Sequence, residues 1–337
     1  MPNIIKVNNQ FKMTDSVRDS KLTQSIDVEY LDPKTVDCVL YHASCSDGFA
    51  SALSAYLLLG NNAEYIPCSH KSSSVPDVCN KTVVVLDFSF NYDTTVQMIQ
   101  KAKKFLVIDH HTSASERLRD IPDRNKIFDM TKSGALLSWM FFHPLKQIPS
   151  LFHYISDRDL WEWKLMHTNE ITTGLDARPQ TFDSWIAILN QYHNGIKQLR
   201  SEGQLIVNYR TSIISSISAS SVQKMWIIAS NRNGAQSEPL LPHHDQVFSC
   251  RVVNVNGPQL LSYVGDYMIQ KFNEDLVVLW MVDNLTNQVT ISMRSTDHVN
   301  CKNIAVHFGG GGHDKAASFT LPLTDLSDQL KELIFNK

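Results

Sequence analysis

The sequence predicts an α/β fold in which an N-terminal domain, built on a parallel sheet with helices on both faces, precedes a smaller C-terminal α+β domain. Two observations support this prediction. Between residues 36 and 144, short apolar segments alternate with helical segments, and strands that are apolar throughout indicate a parallel sheet covered on both faces. After residue 246, strand-like segments follow one another and end in four consecutive glycines.

The elements can be assigned in order from apolar runs and from residues typical of helix ends. Gly60 ends the first helix, and Ser133 and Pro144 bound the third one. The second helix has apolar residues at helical spacing. The predicted N-terminal strands and helices are "VDCVLYH", "FASALSAYLLL", "KTVVVLDFSF", "NYDTTVQMIQKAKK", "KFLVIDHH" and "SGALLSWMFFHP", and the C-terminal strands are "FSCRVVNVNG", "DLVVLWMVD" and "QVTISMRST".

Length and composition limit the classes of protein. The chain has 337 residues, enough for two domains, and its 43% hydrophobic and 19% charged residues are typical of globular proteins. A formal net charge of -3 argues against binding long duplex nucleic acid through a broadly basic surface. The six cysteines form no CxxC pair, which indicates reduced thiols and not a disulfide framework or a structural zinc site.

No segment has the pattern of a signal peptide or the roughly 18 apolar residues of a membrane span. We therefore predict a cytoplasmic protein without a membrane partner. The predicted organisation is an N-terminal extension at residues 1–35, the parallel-sheet domain at 36–200, a largely helical connector at 201–245 and the α+β domain at 246–337.

Each of the three predicted N-terminal strands ends in side chains that can bind metal ions. Because the carboxyl ends of parallel strands meet at one edge of a sheet, these side chains are expected to lie close together. They are His42, Cys45 and Asp47 after the first strand, Asp87 after the second, and Asp109, His110 and His111 after the third, with Asp157 and Asp159 in the later segment "ISDRDLW".

Mixed carboxylate and imidazole ligands suit Mn²⁺ or another borderline divalent ion. Several aspartates also allow one carboxylate to bridge two ions about 3.5–4 Å apart, as in enzymes that act on phosphate esters. Any one of these residues, taken alone, is better explained as a loop residue or a helix cap. Their recurrence at four successive element ends favours a metal site.

The glycine run predicts an anion pocket. Backbone amides in such a run can approach a phosphate closely, and a helix expected after the run would add its N-terminus. Arg294, His313 and Lys315 lie near the run, and their charge favours the pocket over the alternative of a flexible turn. Trp161 and Trp163 could stack on a nucleobase, but core packing is the favoured interpretation of this pair.

Taken in order, five segments resemble the motifs of the DHH phosphoesterase superfamily with a C-terminal DHHA1 domain. They are "HASCSDG", "VVVLDFS", "VIDHHTS", "ISDRDLW" and "GGGGHDKAASF". The resemblance covers residues 37–165 and 246–330, and "DHH" itself is at residues 109–111. The last segment resembles the DHHA1 domain of short-oligonucleotide and cyclic-dinucleotide phosphodiesterases and of RecJ-type exonucleases, and not the C-terminal domain of family II pyrophosphatases.

The resemblance implies a role for each matching residue. Asp87 would bridge two ions, Asp109 would orient the histidines, and His111 would face the scissile phosphate. The implied metal ligands are His42, Asp47, Asp87, His110 and Asp157. The implied substrate-binding residues are Arg294, Gly310, Gly311, Gly312 and His313.

Cys45 departs from the family pattern, which has an aspartate at this position. It could be a metal ligand that shifts the preference toward softer ions such as Zn²⁺, or it could fill space beside the site. The second interpretation is favoured here, because a thiolate is an unusual ligand for Mn²⁺.

The prediction is a phosphodiesterase that uses two Mn²⁺ ions to hydrolyse short oligonucleotides, or linear or cyclic dinucleotides, to mononucleotides. Mg²⁺, Co²⁺ and Zn²⁺ are alternative ions. A second class that fits the same metal residues is a phosphoanhydride or phosphomonoester hydrolase acting on polyphosphate, pyrophosphate or phosphoadenosine phosphate. A third is a nucleotide-binding protein with impaired catalysis.

Overall fold

The computed structural model describes residues 31–69, 75–228 and 246–335. The chain divides into two compact units between Ile206 and Val207. Most of the predicted N-terminal extension (1–30) and part of the predicted connector (229–245) lie outside the described residues. In the part of the chain that is described, no helix is both long and apolar enough to cross a membrane.

A five-stranded sheet forms the centre of the first unit, in the spatial order β2-β1-β3-β4-β5. Every neighbouring pair of strands is parallel. The carboxyl ends of β1, β3 and β4 therefore lie at the same edge. The strands are β1 (Cys38–His42), β2 (Glu64–Cys68), β3 (Thr82–Leu86), β4 (Lys104–Asp109) and β5 (Lys126–Phe128).

Helices cover both faces of this sheet because successive residues of each strand point to opposite faces. Leu86 and Ile108 pack against helices α1 and α4 on one face, while Val85 and Val107 pack with Met98 of α2 on the other. The helices are α1 (Ser46–Leu59), α2 (Tyr92–Lys101), α3 (Thr112–Arg117), α4 (Gly134–Phe142), α5 (Ser150–Asp159), α6 (Thr168–Asp176), α7 (Phe182–Asn190) and α8 (His193–Ala219).

The second unit is built on a six-stranded mixed sheet in the order β10-β11-β9-β8-β7-β6. Only the β7–β8 pair of this sheet is parallel. Helices α10 and α11 cover one face, and α9 covers the other. The elements are β6 (Val222–Ile228), β7 (Gln246–Asn254), α9 (Leu261–Phe272), β8 (Leu276–Asp283), β9 (Gln288–Ser295), α10 (Cys301–His307), β10 (Gly311–His313), β11 (Ala316–Pro322) and α11 (Asp328–Phe335).

The structure confirms the predicted fold class of a parallel α/β domain followed by a smaller α+β domain. It differs from the sequence prediction within residues 201–245, which were expected to be largely helical. Helix α8 ends at Ala219, and Val222–Ile228 forms an edge strand that pairs with β7. Tertiary contacts favour the strand over a helix here, because the buried Trp226 packs into the core of the second unit.

Candidate metal centre

Three strand ends bring an acid and two histidines into one cluster. Asp87 follows β3, and its two carboxylate oxygens face different imidazoles. Asp87 Oδ2 lies 3.4 Å from His42 Nδ1, and Asp87 Oδ1 lies 3.2 Å from His110 Nε2. This central position is the one that the sequence prediction gave to a bridging carboxylate.

Helix α1 supplies a second buried carboxylate. Asp47 lies in the first turn of α1, where Oδ1 accepts a hydrogen bond from the backbone N–H of Ala135 at 3.1 Å. Its other oxygen, Oδ2, lies 3.9 Å from His110 Nε2. The start of α4 thus holds Asp47 with one oxygen directed toward the histidine.

The possible ligand atoms form three overlapping groups, and within each group the atoms lie within 4.8 Å of one another. Asp87 belongs to two groups and His110 to two. The groups are Asp87, Asp109, His110 and His111; His42, Cys45 and Asp87; and Asp47, His110 and Asp159.

Three buried atoms of these groups have no hydrogen-bond partner among the described residues. They are Asp47 Oδ2, Asp87 Oδ1 and His110 Nε2. Buried polar atoms normally have partners, because an unsatisfied group costs free energy. A divalent cation would satisfy all three atoms, and oxygen and imidazole donors suit such an ion. The residues therefore fit the metal that the family motifs imply.

Burial and neighbouring charges shift the pKa values of these carboxyl groups in different directions. Burial alone would raise the pKa of Asp87, but the adjacent imidazoles of His110 and His42 lower it to about 2. Burial and the negative charge of Asp87 raise the pKa of Asp47 and of Asp159. Such crowding of acids is unfavourable in the bare protein and is relieved by a bound cation.

Asp109 holds the second histidine of the "DHH" sequence. Its Oδ1 lies 2.7 Å from His111 Nδ1 and also accepts the backbone N–H of His110, while Ser89 donates its hydroxyl to Oδ2 at 2.6 Å. This hydrogen bond to Asp109 raises the pKa of His111 to about 9. Because Nδ1 faces Asp109, Nε2 is the ring nitrogen through which His111 could meet a substrate.

The segment "ISDRDLW" contributes Asp159 to the cluster, and not the predicted ligand Asp157. Asp159 Oδ2 lies 3.3 Å from His110 Nε2. The carboxylate of Asp157 instead accepts hydrogen bonds from the backbone N–H groups of Lys164 and Leu165 and from the hydroxyl of Thr168. Asp157 thus anchors the loop that leads into α6.

Cys45 lies beside the cluster at the N-cap position of α1. Its sulfur belongs to the group with His42 and Asp87. Burial, followed by the charges of Asp87 and Asp47, raises the pKa of the Cys45 thiol above its ordinary range.

Two residues next to the cluster were not predicted from the sequence. Ser89 lies two positions after Asp87, and its short polar side chain after a strand was a signal that could have been used. Gly134 gave no comparable signal, because its role depends on distance. A Cβ atom at Gly134 would lie 2.5 Å from the Cβ of Asp87 and 2.8 Å from its Oδ1.

We expect Gly134→Ala to lower kcat by about 10²-fold, the scale of a displacement of about 1 Å in a catalytic group. The added methyl group would push the Asp87 carboxylate away from His110, and overpacking would cost about 1–3 kcal/mol of stability. Steady-state kinetics and thermal unfolding measure both effects. Gly257→Ala is the control, because the nearest atom to its added Cβ is 3.6 Å away. Wild-type kcat in Gly134→Ala would show that this contact does not position Asp87.

The glycine run of the second unit lies between a helix and a hairpin, and no helix follows it as predicted. Gly309 has a φ of +77°, and the N–H groups of Gly309 and Gly310 bond to Val306 and Ala305. This is a Schellman motif that ends α10. Residues 311–313 then form β10, which pairs with β11.

Each predicted substrate-binding glycine has its own surroundings. A Cβ at Gly310 would lie 2.2 Å from the carbonyl oxygen of Ser318, and one at Gly312 would lie 2.5 Å from that of Ala316. These two glycines are needed for hairpin packing. Gly311 has no atom within 4 Å of a built Cβ, so the described residues impose no steric need for glycine there.

Arg294 and His313 lie on the same sheet as the glycine run. The guanidinium of Arg294 donates to the carbonyl of Met293 at 2.7 Å and to Ser262 Oγ at 2.8 Å. Gly265 of α9 gives it room, because a Cβ there would lie 2.4 Å from Arg294 Cγ. His313 is exposed at the end of β10.

Comparisons with known proteins agree with this architecture. The DHHA1 domain family matches residues 244–336. A protein of Acanthamoeba polyphaga mimivirus, itself uncharacterised, is 30% identical over 299 residues, which cover 84% of this chain and 66% of that protein. The chain thus spans just under two thirds of the length of that relative.

Among solved structures, the pGpG-specific phosphodiesterase PggH of Vibrio cholerae matches with a TM-score of 0.50 and 14% identity, over 86% of this chain and 94% of that one. RecJ of Thermus thermophilus, solved with Mn²⁺, matches with a TM-score of 0.44 and 14% identity, over 91% of this chain and 52% of that one.

The chain thus combines a parallel sheet that has aspartates and histidines at its strand ends with a C-terminal region that matches the DHHA1 domain family. The match to the DHHA1 family is confined to residues 244–336, and the likeness to PggH, at 14% identity, is a likeness of fold. The DHHA1 domain predicted from the last of the five sequence motifs is confirmed.

Proposed function

We propose that this protein is a metal-dependent phosphodiesterase that hydrolyses short oligonucleotides, or linear or cyclic dinucleotides, to mononucleotides. The observation that carries the proposal is the cluster in which Asp87 lies between His42 and His110. Within the described part of the chain, buried atoms of Asp47, Asp87 and His110 have no hydrogen-bond partner. This donor set suits Mn²⁺, and Mg²⁺, Co²⁺ or Zn²⁺ are alternatives. We propose two ions, with Asp87 as the shared ligand.

Bound divalent ions would activate a water molecule and neutralise charge on the phosphoryl oxygens. The protein's own residues supply the rest. Asp109 holds His111 through Nδ1, so that a positively charged imidazole can bind a phosphoryl oxygen of the substrate. Ser89 and the backbone N–H groups fix Asp109 in turn. Orientation and charge at His111 are thus set before the substrate binds.

An exposed tryptophan near the cluster favours a substrate that carries a base. Trp161 comes two residues after Asp159 and is 42% exposed, so it does not have the core position that the sequence predicted for the pair. Trp161 and Trp163 have φ values of 55° and 53°, which are rare for bulky residues, and their ring centroids lie 4.8 Å apart. An exposed indole offers a stacking surface for a nucleobase, whereas pyrophosphate and polyphosphate contain no base.

The DHHA1 domain is proposed to bind the phosphates of the substrate outside the metal centre. Arg294 offers a planar guanidinium and His313 an exposed imidazole, and Gly311 has no atom within 4 Å of a built Cβ among the described residues. These groups match phosphate oxygens in geometry and charge. A formal net charge of -3 fits short substrates better than long duplexes.

The proposed function is tested with end-labelled di- to decanucleotides, pGpG and a cyclic dinucleotide, each incubated with Mn²⁺, Mg²⁺, Co²⁺ or Zn²⁺. We expect mononucleotides to accumulate with Mn²⁺. A chelator should abolish their release. Hydrolysis of pyrophosphate, polyphosphate or phosphoadenosine phosphate without release of mononucleotides would overturn the substrate class. Nucleotide binding without turnover for any ion would indicate a protein with impaired catalysis.

We expect Trp161→Ala to raise KM for a dinucleotide by about 5- to 100-fold, since stacking of one base contributes about 1–3 kcal/mol. Trp161→Phe keeps an aromatic ring and should restore most of the affinity. A dinucleotide analogue that lacks one base tests the stacking directly, because its KM should be much less sensitive to Trp161→Ala. Equal increases in KM for the complete and abasic substrates would contradict a stacking role.

A further inference from the structure

Cys45, which is half-buried, differs in its surroundings from the four buried cysteines. Cys38 and Cys68 pack into an apolar cluster of the first unit, and Cys250 and Cys301 into one of the second. Among the described residues, Cys45 is in none of the apolar clusters. A cysteine that merely fills space belongs among apolar neighbours, whereas the neighbours of Cys45 are ligand atoms of His42 and Asp87 within 4.8 Å.

The backbone at Cys45 also favours a ligand role. The residue is the N-cap of α1, and its side chain makes no capping hydrogen bond. The N-terminus of a helix stabilises a nearby negative charge. Asp87, which completes this group, is 2% exposed and has the buried Oδ1 without a hydrogen-bond partner. The sulfur therefore lies in a group whose buried carboxylate could bind a cation.

The two groups that could hold separate ions differ in their donor atoms. One consists of His42, Cys45 and Asp87, and the other of Asp47, His110 and Asp159. Asp87 also adjoins the second group, because its Oδ1 lies 3.2 Å from His110 Nε2. The second offers only oxygen and nitrogen donors, while the first adds sulfur. Thiolates favour Zn²⁺ over Mn²⁺ or Mg²⁺, and carboxylate-rich sites show the opposite preference.

We propose that Cys45 is a thiolate ligand and that the His42–Cys45–Asp87 group binds Zn²⁺ in preference to Mn²⁺. The other group remains the site for the harder ion, so the centre would hold two different metals. On binding, a Zn–S bond forms and the thiol proton leaves to solvent. This inference rests on the proposed metal-dependent function and specifies the chemistry of one of its two positions.

The test is a titration of the metal-free full-length protein with Co²⁺, a spectroscopic substitute for Zn²⁺. A cobalt–thiolate bond gives a charge-transfer band in the near ultraviolet that oxygen and nitrogen ligands do not give. We expect the wild-type protein to show this band, Cys45→Ser to lose it while still binding one ion, and Cys45→Asp to lose it while binding two. Cys79→Ser, which changes an exposed cysteine, is the control and should keep the band.

Competition between Zn²⁺ and Mn²⁺ gives a second measurement. Cys45→Ser should weaken Zn²⁺ binding by more than the about 10–100-fold loss that is typical of outer-shell changes, and Cys45→Asp should shift the preference toward Mn²⁺. Two bound Co²⁺ ions without the band in the wild-type protein would overturn the role of Cys45 and leave the metal-dependent function standing. A wild-type protein that binds no divalent ion would overturn both.

Discussion

Asp87→Asn is expected to abolish phosphodiester hydrolysis in a chain that still folds. Asp87 is the residue whose two oxygens face both His42 and His110, and an amide cannot bridge two cations. Loss of a bridging ligand removes several kcal/mol of charge stabilisation, which corresponds to about 10³-fold or more in kcat. The variant should also bind one divalent ion fewer in calorimetry.

Asparagine is the informative replacement because of the backbone at this position. Asp87 has a φ of 54°, and asparagine tolerates this left-handed conformation about as well as aspartate does. Asp87→Ala should be equally inactive but less stable, since alanine pays about 1–2 kcal/mol there. Asp120→Asn changes a carboxylate that is 71% exposed and serves as the control. Near wild-type kcat in Asp87→Asn would rule out the two-ion centre.

The strands that carry the site could be predicted from sequence because each contains a continuous apolar run. Val83, Val84 and Val85 are buried on both sides of the sheet, and only a central parallel strand has that pattern. The edge strands were not predicted because they lack such a run. β2 contains Pro67 and has only one buried residue, and β5 has only three residues, so neither forms a continuous apolar run.

The ligands that directly follow strands were also predictable, since parallel pairing alone brings strand ends together. His42, Asp87 and His110 are brought together in this way. The roles of Gly134 and Cys45 depend on distances between elements that are remote in sequence. The spacing of residues along the chain does not reveal these distances. Sequence alone also could not show whether the glycine run starts a helix or ends one. The same glycines suit a helix N-terminus and the Schellman motif observed after Phe308.

Asp157 and Asp159 could not be ranked from sequence for a geometric reason. Both lie at the end of α5, where successive residues are rotated by about 100° and residues two apart point in nearly opposite directions. One carboxylate therefore meets His110 while the other turns toward the loop. Sequence alone shows that one of them is available, but the orientation of the helix decides which.

Exchanging each acid for its amide should separate these two roles. Asp159→Asn is expected to lower kcat by about 10²-fold and to weaken metal binding, because a ligand beside His110 is lost. The metal-free variant should be at least as stable as the wild type, since the charge of Asp87 disfavours ionised Asp159. Thermal unfolding without metal and calorimetry with Mn²⁺ measure the two effects.

Asp157→Asn is expected to give the opposite pattern. Its carboxylate accepts hydrogen bonds from Lys164, Leu165 and Thr168, and an amide turns one acceptor oxygen into a donor that faces another donor. Leaving such a buried group unsatisfied costs about 1–3 kcal/mol, so the melting temperature should fall in the metal-free protein while both ions still bind. If Asp157→Asn instead lost one ion at an unchanged melting temperature, Asp157 would be the ligand that the family motif implies, and Asp159 would be its neighbour.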